Sequence, residues 1–194
     1  MGNNATNSTH CILAFVGMSG SGKSEAAKLM GEKGYEVIRL GDLTDELLKK
    51  DNLAINPQNE KSYREKIRQE RGMDAYAVAA KPRIDKALEE KNVVILDGMY
   101  SWAEYLYFDS LYSNIIVTHV YARPEIRYAR LSKRAVRPQT PQESHDRDVS
   151  EIEHLDKGGP IAIADYMIDN SEDSMETLKE KIDTLMIDLE GKIT

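Results

Sequence analysis

Five short apolar runs along the chain predict five buried β-strands. Most of these runs are continuous rather than alternating, which is typical of strands that are buried on both faces of a parallel sheet. Longer polar or amphipathic segments separate them, and strands that alternate with helices predict a doubly wound α/β sheet with helices on both faces. The runs are CILAFV (11–16), YEVIRL (35–40), NVVILD (92–97), NIIVTHVYA (114–122) and ADYMID (164–169).

Helix signals are clear in three of the intervening or terminal segments. Residues 22–33 end at Gly34, and glycine is a common residue just past a helix C-terminus. The sequence TPQE at 140–143 is a capping box with proline at the first helical position, so it predicts a helix over about 141–154. In the last segment one helix face is apolar, with Met175, Leu178, Ile182, Leu185, Met186 and Leu189. Pro82 is expected to kink or restart a helix.

Two intervals between strands are longer than a simple crossover needs. They span residues 41–91 and 123–160. In α/β nucleotide-binding folds such excursions usually bind the second substrate and form a closing lid. We therefore expect a disordered tail over 1–10 and one domain over 11–194, in which 41–91 is the acceptor-binding region and 123–160 the lid region.

Composition and charge restrict the classes of function. Apolar residues make up 41% of the chain and charged residues 30%, and no apolar run approaches the roughly 20 residues of a membrane span. The single cysteine, Cys11, suits a reducing compartment, so we predict a cytoplasmic protein without a membrane partner. The net charge of −7 disfavours binding of nucleic acid, and an anionic ligand must therefore bind at a local basic pocket.

A glycine-rich segment follows the first predicted strand and opens the first predicted helix. Residues without bulky side chains let successive backbone N–H groups approach phosphate oxygens, and the helix N-terminus adds positive potential. We expect this segment to bind ATP, with Lys23 at the β- and γ-phosphates and Ser24 as a ligand of Mg²⁺. It reads Gly17, Met18, Ser19, Gly20, Ser21, Gly22, Lys23 and Ser24, which matches the pattern G-x-x-x-x-G-K-[ST] in the context that the pattern requires.

Asp97 ends the third predicted strand and is the candidate for a second metal-binding residue, either directly or through water. Alternatively, it caps a turn with Gly98. Motor and transport ATPases usually place a glutamate at the next position to polarise water, and the chain contains no N-K-x-D motif for guanine. The sequence therefore favours phosphoryl transfer to a bound acceptor over a hydrolysis-driven switch or motor.

Asp42 lies between the second predicted strand and a predicted helix. Aspartate at that position is a good helix N-cap. It is also a candidate for the residue that orients or deprotonates an acceptor hydroxyl. The two roles are compatible.

Residues 121–137 carry six basic residues and one acid, although the protein as a whole is acidic. Arg127, Arg130 and Arg134 are spaced so that a helix would align them on one face. Such a row can clamp phosphates and neutralise the charge that develops on a phosphoryl group in transfer. The alternative is a solvated helix face whose arginines pair with acids elsewhere.

Motifs along most of the chain, from about residue 11 to 190, carry a family resemblance. They are GMSGSGKSEAAK, GD at 41–42, LDGMYSW at 96–102, YARPEIRYARLSKR, RD at 147–148 and GGPIAIADYMIDN. The chain resembles the P-loop small-molecule kinases, and most closely the dephospho-CoA-kinase-like nucleotide kinases of archaea and bacteria. The resemblance implies a P-loop NTPase fold with the P-loop strand at the centre of a five-stranded parallel sheet, and a short lid that carries the three arginines. It also implies that Asn170 and Ser171 lie in the loop that meets the adenine.

The chain departs from these families at two positions that concern the acceptor. Nucleoside monophosphate kinases usually have an arginine three residues after the aspartate of the GD element, and this chain has Asp45. Dephospho-CoA kinases typically have a proline-leucine-leucine run where this chain has Gly98-Met99-Tyr100. The sequence therefore predicts the kinase class more firmly than the acceptor.

Together these features predict a kinase that uses ATP and Mg²⁺ and transfers the γ-phosphoryl group to a small nucleotide-like acceptor. The 3′-hydroxyl of dephospho-CoA is the first candidate, and the phosphate of a nucleoside monophosphate is the alternative. A regulatory module that binds ATP without transferring phosphate is a further hypothesis. Nucleic-acid binding is a third hypothesis, which the acidic balance disfavours.

Overall fold

The computed structural model describes residues 10–135, 137–172 and 174–193. The tail predicted over 1–10 lies outside the described residues except for His10. The strands are β1 (Cys11–Val16), β2 (Glu36–Arg39), β3 (Val93–Asp97), β4 (Ile115–Tyr121) and β5 (Tyr166–Asp169). The helices are α1 (Lys23–Glu32), α2 (Asp42–Lys50), α3 (Pro57–Arg71), α4 (Ala75–Glu90), α5 (Trp102–Asp109), α6 (Pro124–Ser132), α7 (Pro141–Leu155), α8 (Gly158–Ala162) and α9 (Met175–Leu189).

The five strands form one parallel sheet in the order β2-β3-β1-β4-β5. The strand before the glycine-rich segment is therefore central, as predicted. Its register pairs Phe15 with Asp97 on one side and Val16 with His119 on the other. Because the carboxyl ends of parallel strands meet at one edge of the sheet, the ends of β1, β3 and β4 converge on the same site.

The core has two halves because successive side chains of a strand point to opposite faces of the sheet. Every residue of β1 is buried. Its alternate side chains pack on one face against α1 and α9, and on the other face mainly against α4 and α5. This arrangement confirms the doubly wound α/β fold with helices on both faces.

Most predicted helices are present, with small differences. The helix predicted over 141–154 is α7, and its capping box forms between Thr140 and Glu143. In α9 the buried positions are Leu178, Ile182, Leu185 and Leu189, whereas Met175 is 52% exposed and does not belong to the core face. The chain does not restart at Pro82, because α4 continues through that residue.

The two long excursions form helical regions, of which α4 packs on one face of the sheet. Residues 41–91 contain α2, α3 and α4, and residues 123–160 contain α6, α7 and the start of α8. Helices α6 and α7 pack against each other. No helix within the described part of the chain is both long and apolar enough to cross a bilayer.

Candidate active site

The glycine-rich segment is enclosed so tightly that side chains at its glycines would collide with neighbours. Gly20 and Gly22 have φ values of 82° and 101°, which glycine adopts without strain. A Cβ atom on Gly20 would lie 2.8 Å from the carbonyl oxygen of Arg127, and one on Gly22 would overlap the amide of Asn170. Glycine was predicted in this segment because it lets backbone N–H groups approach phosphate oxygens. The packing around the segment requires glycine as well.

Ser24 and Asp97 meet at the metal position that the sequence predicts. The Oγ atom of Ser24 donates a hydrogen bond of 2.9 Å to Oδ1 of Asp97. A hydroxyl and a carboxylate are hard oxygen ligands of the kind that Mg²⁺ uses alongside phosphate oxygens and water. The described residues contain no group of three or more His, Cys, Asp or Glu side chains arranged to hold a metal ion, so these two residues fit a metal that the nucleotide itself helps to bind.

Lys23 begins α1 beside several other charges. Burial, and after it the nearby ammonium group of Lys157, lower the pKa of Lys23 to about 7, although Glu151 and Asp97 raise it. Lys23, Lys157 and Arg147 here face the carboxylates of Glu151 and Asp97, and an anionic ligand would offset the remaining positive charge.

The buried side chain of Arg127 connects the glycine-rich segment to α7. Its guanidinium donates 3.0 Å from Nη1 to the carbonyl oxygen of Ser19, and it forms a two-pronged ion pair with Asp148 at 3.0 and 2.6 Å. A fourth bond runs from Nε to the carbonyl of Ala122. These contacts use four of the five N–H donors of Arg127 and fix the position of the P-loop backbone relative to α7.

The prediction that Arg127, Arg130 and Arg134 share one helix face is wrong. Helix α6 ends at Ser132, so Arg134 lies beyond it. Arg127 is buried, while Arg130 is half-buried and donates 2.7 Å from Nη2 to the carbonyl of Glu172 in the loop after β5. The helix ends without a glycine or proline stop signal, which is why the spacing alone overestimated its length.

The loop after β5 lies against the glycine-rich segment. The side-chain amide of Asn170 donates 2.8 Å to the carbonyl oxygen of Ser21, and Ser171 Oγ accepts 3.2 Å from the backbone N–H of Arg123. The loop expected to meet the adenine is thus connected both to the P-loop and to the start of α6.

Asp42 is not a helix N-cap. It is the first residue of α2, Gly41 occupies the cap position, and no side chain caps the helix. The Asp42 carboxylate instead accepts 3.2 Å from Nη1 of Arg39 and lies 3.6 Å from Nη1 of Arg83. Arg39 pairs in register with Asp97, so this ion pair connects Asp42 to the strand end that carries the metal candidate.

A second basic region, the arginine cluster, lies where residues 41–91 and residues 123–160 meet. Glu60 of α3 pairs with Arg64 at 3.5 Å and also with Arg137. The pKa of Arg64 is lowered by burial and then by Arg147, and that of Arg134 is lowered by burial and then by Arg147 and Arg137. We define the arginine cluster as Arg64, Arg134, Arg137 and Arg147. Its guanidinium groups repel one another, and positive charge is in surplus there.

Three further residues at the site were not predicted. Lys157 and Glu151 form a buried ion pair at the C-terminal end of α7, and the Tyr100 ring lies 5.5 Å from the Lys157 ammonium. The ring of Tyr100 also covers Gly98, where a Cβ would lie 2.7 Å from the ring. Tyr100 stands in the LDGMYSW motif without an assigned role, and Glu151 and Lys157 stand in no quoted motif, so only the tertiary contacts at the end of α7 reveal them.

Comparisons of the sequence with known proteins identify its family. The model of the AAA domain family matches residues 13–154. A UPF0200 protein of Pyrococcus abyssi is 34% identical over 179 residues, covering 90% of this chain and 95% of the relative. A UPF0200 protein of Pyrococcus furiosus is 34% identical over 187 residues, covering 94% of this chain and all of the relative.

The chain is also similar to solved kinases at the level of the fold. Shikimate kinase from Bacteroides thetaiotaomicron superposes with a TM-score of 0.61 at 16% identity, covering 93% of this chain and 98% of that one. A gluconokinase from Sinorhizobium meliloti superposes with a TM-score of 0.54 at 13% identity, covering 96% and 99%. The fold is thus that of P-loop small-molecule kinases, while the resemblance to dephospho-CoA kinases stays a prediction. The chain belongs to the UPF0200 family and carries an AAA domain over residues 13–154.

Proposed function

We propose that the protein is an ATP- and Mg²⁺-dependent kinase that phosphorylates a hydroxyl of a small, anionic, nucleotide-like acceptor. The first candidate for the acceptor is dephospho-CoA. The observation that carries the proposal is the presence of two adjoining basic regions, which meet at Arg147. One surrounds Lys23 and the Ser24–Asp97 pair, and the other is the arginine cluster between the predicted acceptor-binding and lid regions.

The first basic region suits the donor nucleotide. The glycine-rich segment presents backbone N–H groups at the start of α1, and Lys23 adds an ammonium group for the β- and γ-phosphates. Ser24 and Asp97 would hold Mg²⁺, which would supply positive charge to offset that of the phosphates. Asn170, at the loop after β5, is the proposed contact on the adenine side.

The second basic region suits an acceptor that carries a phosphate or carboxylate. Four cations around it share two carboxylates, because Glu60 pairs with Arg64 and Arg137, and Glu151 pairs with Arg147 and Lys157. Arginine forks are well matched to planar or tetrahedral oxyanions. A module that only senses ATP has no need of this second region, so its presence favours a kinase over a regulatory role.

In the proposed reaction the acceptor hydroxyl oxygen bonds to the γ-phosphorus as the bond between that phosphorus and the β–γ bridging oxygen breaks. ADP leaves with the bridging oxygen, and the hydroxyl proton passes to the Asp42 carboxylate. Catalysis consists mainly of positioning and of neutralising charge. Arg130 and Arg134 are proposed to close over the transfer, whereas Arg127 is proposed to act by holding the P-loop, because its donors are bound to Ser19 and Asp148.

A nucleoside monophosphate kinase is the alternative. It would need no base, because its acceptor is already a phosphate. Asp45, which stands where those kinases have an acceptor-binding arginine, instead accepts 2.9 Å from Arg39. This contact makes a monophosphate the second choice.

The decisive experiment incubates the purified protein with Mg-ATP and a panel of acceptors and identifies the products by mass. The panel contains dephospho-CoA, the nucleoside monophosphates, shikimate and gluconate. Formation of ADP together with one phosphorylated acceptor supports the proposal. ATP binding without any phosphorylated product would leave the regulatory module as the better hypothesis.

Two matched pairs of variants sharpen that assay. Lys23→Ala should abolish transfer, while Lys28→Ala, on the exposed side of the same helix, should not. Asp42→Asn should lower the rate with a hydroxyl acceptor by about 10²-fold or more, the usual contribution of a general base. Asp45→Asn removes the other Arg39 ion pair and should preserve the rate, so equal loss in both variants would contradict the role of Asp42 as the base.

A further inference from the structure

Lys157 is a buried lysine at the junction of α7 and α8 that the proposed donor site does not yet include. It is 1% exposed, and charged lysines are rarely buried unless they are paired. Its ammonium group contacts Oε2 of Glu151 and lies over the ring of Tyr100. A backbone bond of 3.3 Å from the Lys157 N–H to the Glu151 carbonyl fixes the residue at the end of α7.

The charges around Lys157 do not balance. Glu151 accepts 2.9 Å from Nε of Arg147 on one oxygen and contacts Lys157 on the other. Despite its burial, the pKa of Glu151 falls to about 2 because Lys157, Arg147 and Lys23 all stabilise its charge. Two cations of the α7 segment thus contact one carboxylate, and a third cation, Lys23 of the glycine-rich segment, lies close enough to stabilise its charge.

This convergence has the form of an oxyanion site. The γ-phosphate of a bound nucleotide would enter next to Lys23, and the carboxylate oxygens of Glu151 occupy the point at which the other two cations meet. Lysine binds phosphate as a point charge and needs no particular approach direction. A simple structural ion pair would instead match one lysine with one glutamate and leave Arg147 elsewhere.

We propose that Lys157 is a second phosphate-binding lysine, which receives the γ-phosphoryl group together with Lys23 and Arg147, and that Glu151 is the counter-ion with which this group competes. The inference rests on the proposed function in one respect, namely that the glycine-rich segment binds a nucleoside triphosphate. The inference predicts that Lys157 increases, and Glu151 decreases, the preference of the site for a nucleoside triphosphate over a nucleoside diphosphate.

The test compares the affinities of a non-hydrolysable ATP analogue and of ADP, each with Mg²⁺, by calorimetry. Lys157→Met should weaken binding of the analogue by about tenfold or more, the worth of one charge-assisted hydrogen bond, and change the ADP affinity by no more than about threefold. Glu151→Gln should strengthen binding of the analogue several-fold, by about 2–10-fold, because it removes the competing charge. Neither measurement requires the acceptor to be known.

Controls separate this inference from folding defects and from the proposed function. The double variant Glu151→Gln, Lys157→Gln removes both buried charges together, so it avoids an unpaired buried charge and should fold while losing the triphosphate preference. Lys33→Met breaks the exposed ion pair of Lys33 with Asp183 and should change neither affinity. Equal loss for the analogue and ADP, or no loss, in Lys157→Met and the double variant would overturn the inference alone. Failure of the unmodified protein to bind either nucleotide would overturn the proposed function as well.

Discussion

Gly22 illustrates, at the scale of single residues, how much of the site depends on the absence of a side chain. It has φ of 101° and touches the amide of Asn170, which in turn donates to the carbonyl of Ser21. Sequence pattern identified this glycine as a phosphate-binding residue, because the motif has fixed spacing. The pattern could not show that Asn170, almost 150 positions later, closes the same loop.

Gly22→Ala should therefore cost more than an ordinary glycine substitution. A left-handed φ costs an alanine about 1–2 kcal/mol, and displacement of Asn170 adds about 1–3 kcal/mol for the broken buried hydrogen bond. Gly34→Ala is the matched control, because Gly34 has φ of 93° and no neighbour within 4 Å of a Cβ atom. Urea unfolding of both variants should show the larger loss for Gly22→Ala. Equal losses would mean that the Asn170 contact contributes nothing.

His119 gives a prediction about pH. Burial lowers the pKa of His119 below its usual value of 6.5. Below pH 6.5 the unfolded chain therefore binds a proton that the folded protein resists, so the free energy of unfolding should decrease as the pH falls from 8 to 5.5. His119→Gln should reduce this dependence on pH, whatever its effect at pH 8. His154→Gln, at the exposed end of α7, is the control, and an unchanged pH slope in His119→Gln would contradict the prediction.

At the scale of helices and strands, the sequence identified what depends on local pattern and missed what depends on tertiary contact. The buried strands appear as continuous apolar runs, and α7 begins at its capping box. The prediction that three arginines share one helix face failed because the ends of helices are poorly encoded in the sequence. It also failed because the burial of Arg127 depends on Asp148 in another helix. No sequence pattern predicted the buried ion pair of Lys157 and Glu151, since a lysine and a glutamate six residues apart usually lie in solvent.

The ion pair between Arg127 and Asp148 should be a strong link between α6 and α7. Asp148→Leu or Arg127→Met leaves one buried charge without its partner, which typically costs about 3–5 kcal/mol. The double variant Arg127→Met, Asp148→Leu should be less destabilised than the sum of the two single changes. Urea unfolding of the full cycle measures this coupling.

Nucleotide affinity provides an independent readout for the same pair. Arg127→Met also removes the donor to the Ser19 carbonyl, so it should weaken ATP binding even in the double variant. Lys33→Met, at an exposed ion pair, should cost less than about 1 kcal/mol and leave ATP binding unchanged. If the loss of stability in the double variant equalled the sum of the losses in the two single variants, the pair of Arg127 and Asp148 would not couple the helices.

At the scale of the whole molecule, the topology brings together cations that are far apart in sequence. The central position of β1 places the glycine-rich segment between the ends of β3 and β4, and α7 brings Arg147 and Lys157 beside it. The fold class followed from the order of strands and helices alone. The distribution of charge within the site did not, because it depends on the tertiary contacts that bring the end of α7 beside the glycine-rich segment.

The net charge of −7 and the local surplus of positive charge lead to a prediction about salt. ATP binds through a few enclosed contacts, so its affinity should fall by less than about tenfold between 50 and 200 mM salt, whereas a protein that contacts 6–10 phosphates of DNA loses about 10³–10⁵-fold. A single-stranded 20-mer should show no binding at either salt concentration, because a protein with a net charge of −7 repels a long polyanion. Fluorescence anisotropy of labelled ATP and of the labelled oligonucleotide measures both. Oligonucleotide binding at 50 mM salt that disappears at 200 mM would revive the hypothesis of nucleic-acid binding, since only contacts with a phosphate backbone give so steep a dependence.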